Sequence, residues 1–174
     1  MHKLVFLDRD GTINVDNGFV HKVEDWAFTD RAAEALMKLQ AAGFKLAIIT
    51  NQSGIGHGMY TVADMDEVHR FMEKELEKNG VKLDAVAFCP HRRDGGCGCR
   101  KPEVGMAKQI EEKLGEIDYS ASWTIGDKEA DLKFGKALGT HTALIRSKYW
   151  DEVELVDKPD VIASTLYEVV ERIV

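Results

Sequence analysis

The chain opens with a short apolar run, Lys3 to Leu7, that stops abruptly at Asp8-Arg9-Asp10-Gly11. A continuous apolar stretch of that length ending in a polar turn predicts a strand buried on both faces that delivers the turn at its carboxyl end. After Thr29-Asp30 the period changes. Ala32, Ala35, Leu36 and Leu39 recur at helical spacing, and Gly43 supplies the stop. Lys45 to Ile49 repeats the strand pattern and runs into a polar, glycine-rich loop, Thr50 to Gly58. Thr61, with Asp64 three residues on, has the capping-box spacing that opens a helix carrying Val62, Met65, Val68, Met72 and Leu76 and closing near Gly80. Strands follow at Ala85 to Cys89, Trp123 to Ile125 and Thr142 to Ile145, with helices over 104–114 and 129–138 between them. Residues 146–160 show little periodicity; Val161-Ile162 then reads as a short edge strand before a last helix over 165–173.

Strands alternating with helices at this spacing predict an α/β fold, a three-layer Rossmann-like parallel sheet with helices on both faces. Such sheets bind ligands beyond the carboxyl ends of their strands, at the switch point. Asp8, Asp10, Thr50, Asn51, Asp127 and the cysteine-bearing loop after Cys89 all fall at those ends. A length of 174 residues fits one domain, 1–174, and leaves little room for a second. No run of about 18 apolar residues occurs, and the first residues lack the long apolar core of a secretory signal, so a cytoplasmic protein is expected. The formal net charge of −7 repels nucleic acid and anionic membranes, and the basic clusters, Arg92-Arg93 and Arg100-Lys101, are short. Neither is expected as a partner.

Four segments carry candidate chemistry, and each has a plain structural alternative. The two carboxylates of Asp8-Arg9-Asp10-Gly11-Thr12 leave a buried strand, where a hard divalent cation would neutralise them; a solvated Asx turn explains the same residues. Thr50-Asn51-Gln52-Ser53-Gly54-Ile55-Gly56 offers a hydroxyl, an amide and glycine-flanked N–H groups, a donor set suited to phosphate, or a polar strand-to-helix connection. Lys101 supplies a cation near a strand end or is a surface lysine. In Gly126-Asp127-Lys128-Glu129-Ala130-Asp131, Asp127 suits a metal shell, and Asp131 reads as a first-turn acid favoured by the helix dipole.

All three cysteines lie between residues 89 and 99, so no disulfide framework spans the fold. Cys89, His91, Cys97 and Cys99 form a set of soft ligands suited to a closed, tetrahedral, structural zinc site. The alternatives are unpaired buried thiols or a strained Cys97–Cys99 bridge. Because the loop ends at Arg100-Lys101, a metal there would also fix where those two cations point. No partner can be named for Trp26, Trp150, His2, His21, His69 or His141 from sequence.

Taken in order, D-x-D-G-T, strand-T-N, Lys and G-D-x-x-x-D resemble the four motifs of the haloacid dehalogenase-like phosphotransferases, over almost the whole chain. The resemblance implies a magnesium-dependent phosphatase. Asp8 is then the nucleophile and Asp10 the acid–base group, Thr50 and Lys101 stabilise the transferring phosphoryl group together with Asn51, and Mg²⁺ is held by Asp8, Asp10 through its carbonyl, and Asp127. The zinc loop directly before Arg100-Lys101-Pro102 resembles a capless branch that includes heptose bisphosphate phosphatases and histidinol-phosphate phosphatases. Phe6 to Val20, Thr50 to Gly56 and Arg100 to Met106 are similar to the heptose group, which implies removal of the C7 phosphate from a heptose 1,7-bisphosphate; a monomer is expected. In that family the positions matching Asp16, Asn17, Gly18, Phe19, Thr50, Asn51, Gln52, Ser53, Arg100, Lys101 and Lys128 contact substrate, with Arg100 and Lys128 placed to grip a second phosphate. His57 departs from the usual Arg, and Phe19 from the common Tyr. Rival readings are a histidinol-phosphate phosphatase, a nucleic-acid-end phosphatase and a signalling receiver domain; receivers are shorter and carry no zinc loop.

Overall fold

The computed structural model describes residues 1–174. Six parallel strands, β1 (Leu4–Leu7), β2 (Lys45–Asn51), β3 (Ala85–Cys89), β4 (Trp123–Gly126), β5 (His141–Ile145) and β6 (Val161–Ala163), form one sheet in the order β3-β2-β1-β4-β5-β6. The order reverses between β1 and β4, which opens a crevice beyond their carboxyl ends.

The alternation of strand side chains divides the interior in two. Val5, Leu7, Leu46, Ile48 and Ile125 face α1 (Ala32–Ala41), α3 (Val62–Lys78) and α6 (Leu166–Ile173). Leu4, Phe6, Ala47 and Ile49 face α4 (Gly105–Leu114) and α5 (Glu129–Leu138). Strand neighbours point to opposite faces, and both faces are covered, so the strands read as unbroken apolar runs. Phe6 is fully buried, edge-on to Phe134 of α5 at 5.8 Å.

The elements agree with the sequence periodicity, with local differences. The capping box at Thr61 forms: Asp64 N–H donates to the Thr61 hydroxyl while Thr61 N–H donates to Asp64 Oδ2. Val62, expected on the apolar stripe, is 41% exposed, because at the first helical position it faces away from the core that Met65, Val68, Met72 and Leu76 enter. The loop expected after β2 contains one helical turn, α2 (Ser53–Gly56), too short to show a period. No helix is long and apolar enough to cross a membrane.

Candidate active site

Asp8 is the first residue beyond β1, and its N–H donates to the Ile125 carbonyl of β4, which holds it over the crevice. Asp127 follows β4 directly. One carboxylate oxygen from each of Asp8, Asp127 and Asp131 lies within 4.8 Å of the others, and all three residues are buried. Glycine makes this approach possible: a Cβ on Gly11, whose φ is +85°, would overlap the Asp127 carboxylate, and one on Gly126 would overlap Asp131. Asp131 therefore does more than the dipole role expected of it. Its Oδ2 accepts from the Lys128 N–H, and its Oδ1 pairs at 2.6 Å with the ammonium of Lys101.

Lys101 is no surface lysine. It is 4% exposed, and its Nζ also donates to Asp8 Oδ1 and to the Ile49 carbonyl, both at 2.8 Å. Asn51 sets its backbone, accepting from Lys101 N–H at 3.0 Å and donating to its carbonyl at 3.4 Å. The side chain of Asn51, expected on the substrate, is thus engaged in placing Lys101. Burial alone would raise the Asp8 carboxyl, but Lys101 and Lys128 outweigh it and hold the group below the ordinary range, as a nucleophile requires. Burial and the neighbouring Asp8 push Asp127 up to about 8. The cluster is short of positive charge, and hard oxygen donors short of charge suit Mg²⁺. Lys128 marks the point of convergence. Its Nζ lies 2.6 Å from Asp127 Oδ1, 3.4 Å from the Asp10 carbonyl and 3.7 Å from Asp8 Oδ2, against the same three groups that the resemblance assigns to the ion.

Asp10 is gripped from three sides. Oδ1 accepts from Arg9 Nη2 at 2.9 Å and Asn14 Nδ2 at 3.0 Å, and Oδ2 accepts from Gln52 Nε2 at 3.0 Å. Gln52, expected on the substrate, is 2% exposed and bridges Asp10 to the buried Thr50 hydroxyl. Arg9 is a buried cation that sequence reasoning passed over. It donates to the Val20 carbonyl at 2.6 Å, meets His69 Nε2 at 3.2 Å and lies under Trp26 at 5.9 Å. Burial, then the Arg9 charge, press His69 down to about 3, so it is neutral and accepts from Arg9.

Above these groups opens a cavity of about 820 Å³, lined among others by Asp16, Gly18, Phe19, Ser53, Arg100 and Lys128. Asn17 and His57 stay exposed and off its wall. Phe19 holds a left-handed backbone, φ +50°, beside Gly18 at +79°, and turns an exposed ring into the opening. Tyr149, from the segment without periodicity, also reaches the cavity: its hydroxyl donates to Asp16 Oδ2 at 2.8 Å and its ring lies 4.6 Å from Lys128 Nζ. Arg100 Nη1 is buried and has no partner.

The four soft ligands also converge. Cys89 Sγ is 3.5 Å from His91 Nδ1 and from Cys97 Sγ, while Cys99 Sγ is 3.2 Å from His91 Nδ1 and 3.6 Å from Cys97 Sγ. A tetrahedral zinc ion requires edges of about 3.5–3.8 Å between such ligands, given its bond lengths. All three cysteines are free thiols, which removes the bridge alternative. Burial pushes the Cys89 thiol up to about 12.

The polynucleotide kinase 3 phosphatase family model matches residues 3–144. The D-glycero-beta-D-manno-heptose-1,7-bisphosphate 7-phosphatase of Pasteurella multocida is 40% identical over 84% of this chain and 83% of its own length. The enzyme of that name from Haemophilus ducreyi is 37% identical over 97% and 96%. The chain belongs to the haloacid dehalogenase-like family of heptose-1,7-bisphosphate 7-phosphatases. As in that family, the reaction class is magnesium-dependent hydrolysis of a phosphoric monoester. A solved member of the heptose bisphosphate phosphatase family, from B. bronchiseptica, superposes with a TM-score of 0.89 at 29% identity, covering 98% of this chain and 97% of the other; it was crystallised with magnesium and phosphate.

Proposed function

We propose that this chain, a cytoplasmic monomer, removes the C7 phosphate of D-glycero-β-D-manno-heptose 1,7-bisphosphate through an aspartyl-phosphate on Asp8. The convergence of Asp8, Asp127, Asp131 and Lys101 at the switch point carries the reading. A carboxylate oxygen of Asp8 attacks phosphorus, the ester P–O bond breaks, and Asp10 gives its proton to the leaving alkoxide. Asp10 then takes a proton from water as that water attacks the aspartyl-phosphate, which releases phosphate and restores Asp8. Thr50 and Lys101 stabilise the charge on the phosphoryl oxygens in both steps. Asp8, the Asp10 carbonyl and Asp127 would hold Mg²⁺, which would supply the neutralising charge that the cluster lacks. Asp16, Gly18, Phe19 and Ser53 form the sugar side, with Asn51 and Gln52 behind it.

The second phosphate is what singles out a bisphosphate. Arg100 keeps an unpartnered guanidinium nitrogen, a donor available to an anion, and it lines the same cavity as Lys128. Cys89, His91, Cys97 and Cys99 would hold zinc, which would fix the segment that carries Arg100.

A phosphate-release panel tests the assignment: both heptose 1,7-bisphosphate anomers, histidinol phosphate and a 3′-phosphorylated oligonucleotide. The β anomer is expected to be fastest. Preference for histidinol phosphate would replace the substrate and keep the chemistry, and preference for the oligonucleotide, the activity in the matched family's description, would overturn the small-molecule reading.

A further inference from the structure

Gln52 is one hydrogen bond away from being misoriented. Its Nε2 donates to Asp10 Oδ2 at 3.0 Å and to the Thr50 hydroxyl at 2.8 Å, so the amide nitrogen must face both groups. Turned over, the carboxamide would set its oxygen against a carboxylate. The opposite end of the amide is held by Tyr60, whose hydroxyl donates to Gln52 Oε1 at 2.6 Å. Tyr60 lies between α2 and α3, outside all four motifs, and is 6% exposed.

Two further contacts fix the phenol itself. A Cβ on Gly54 would overlap the Tyr60 ring, so the ring passes against a bare backbone. His21 also stacks on the ring, with centroids 4.7 Å apart and planes 3° from parallel. Burial pushes the phenol up to about 12, which keeps it protonated and a donor across the working pH range.

We propose that Tyr60 is a positioning residue for phosphoryl transfer, aiming the carboxyl of Asp10 and the hydroxyl of Thr50 through the amide of Gln52. The inference rests on the assignment of Asp10 as acid–base group made above. Losing the phenolic hydroxyl leaves Gln52 Oε1 buried without a partner, and a buried orphan acceptor drives the amide to turn or withdraw. Asp10 then loses its Oδ2 donor and is held through Oδ1 alone, by Arg9 and Asn14, which leaves the carboxyl free to tilt away from the leaving oxygen. That matters only when the departing group needs a proton. A sugar alkoxide does; 4-nitrophenolate is stable enough to leave without one.

Tyr60→Phe changes one atom and keeps the ring. On the alkyl ester of the panel that wild-type protein hydrolyses fastest, it is expected to lower kcat about tenfold, a fraction of what full acid catalysis is worth, with KM within about twofold. Nitrophenolate release in the first turnover of 4-nitrophenyl phosphate is expected to fall by clearly less, since proton donation is not needed there and only the placement of Thr50 is disturbed. Gln52→Ala and the double variant Tyr60→Phe/Gln52→Ala should be equally impaired, because Tyr60 acts only through Gln52. Equal losses on both esters, a double variant worse than Gln52→Ala, or a Tyr60→Phe enzyme matching wild type on the alkyl ester would each overturn this inference alone. Wild-type protein inert on every phosphate ester would overturn the functional reading and this inference with it.

Discussion

The carboxylate crevice and the cysteine loop both gather groups that need a cation, yet the chain builds them in opposite ways. Cys89, His91, Cys97 and Cys99 come from one stretch of eleven residues, and their contacts of 3.2–3.6 Å close a complete soft shell. Asp8 and Asp127 come from the ends of β1 and β4, Lys101 from the loop between β3 and α4 and Asp131 from the first turn of α5, and their cluster stays open toward a cavity. A closed shell of four protein ligands holds a metal for structure, whereas a site that keeps room for substrate is one where chemistry can occur. The two are joined by sequence, since Cys99 is followed at once by Arg100 and Lys101. On the proposed reading, a metal in the cysteine loop would aim the cations of the crevice.

The sharpest way to break this division is to remove the nucleophile. Asp8→Asn is expected to lower turnover by a factor on the order of 10⁴ or more, while circular dichroism stays that of the wild type and one zinc per chain is retained by metal analysis. Wild-type turnover in that variant would end the enzymatic assignment. Stripping zinc with a chelator is the intermediate case. It should raise KM by about tenfold, as loss of a supporting metal shell does, with a lower melting temperature and a smaller change in kcat. Protein purified without chelator that contains no zinc would show that the loop has another purpose.

The smallest effect concerns the charge beneath Asp10. The His69 imidazole is pressed from 6.5 in the unfolded chain to about 3 in the fold by burial and by Arg9. The unfolded chain therefore binds a proton that the native state refuses. Stability from this group is fully present above pH 6.5 and is lost as pH falls from 6.5 toward 3. The slope is at most about 1.4 kcal/mol per pH unit. His69→Gln, which still offers Arg9 an acceptor, should make urea-unfolding stability fall less steeply across that window. An unchanged slope would mean that His69 is not held neutral in the native state.

Much of the fold was legible because buried parallel strands and amphipathic helices leave different periods. The five longer-range expectations, β2 through β5 and the helix from Glu129 to Leu138, agree with the structure to within a residue or two at their ends. Val62 and the single turn of α2 were misjudged for the same reason: one helical turn at an element's start contains too few residues to display a face. The site was legible where chemistry repeats a spacing, as in Asp8 and Asp10 or the cysteine loop. Arg9, Tyr60, His69 and Tyr149 were missed because each owes its part to contacts from other elements, such as His69 on α3 reaching Arg9 sixty residues earlier.

By itself the order of residues determined the strand and helix pattern, the family and the ligand types, because burial periodicity and donor chemistry are properties of neighbouring side chains. Only the tertiary structure decided which of those residues act together. It placed Asp131 beside Lys101 and gave Asn51 and Gln52, in the cavity wall, the groups they orient. Distances between residues far apart in the chain are set by how strands pack, and no local pattern records them.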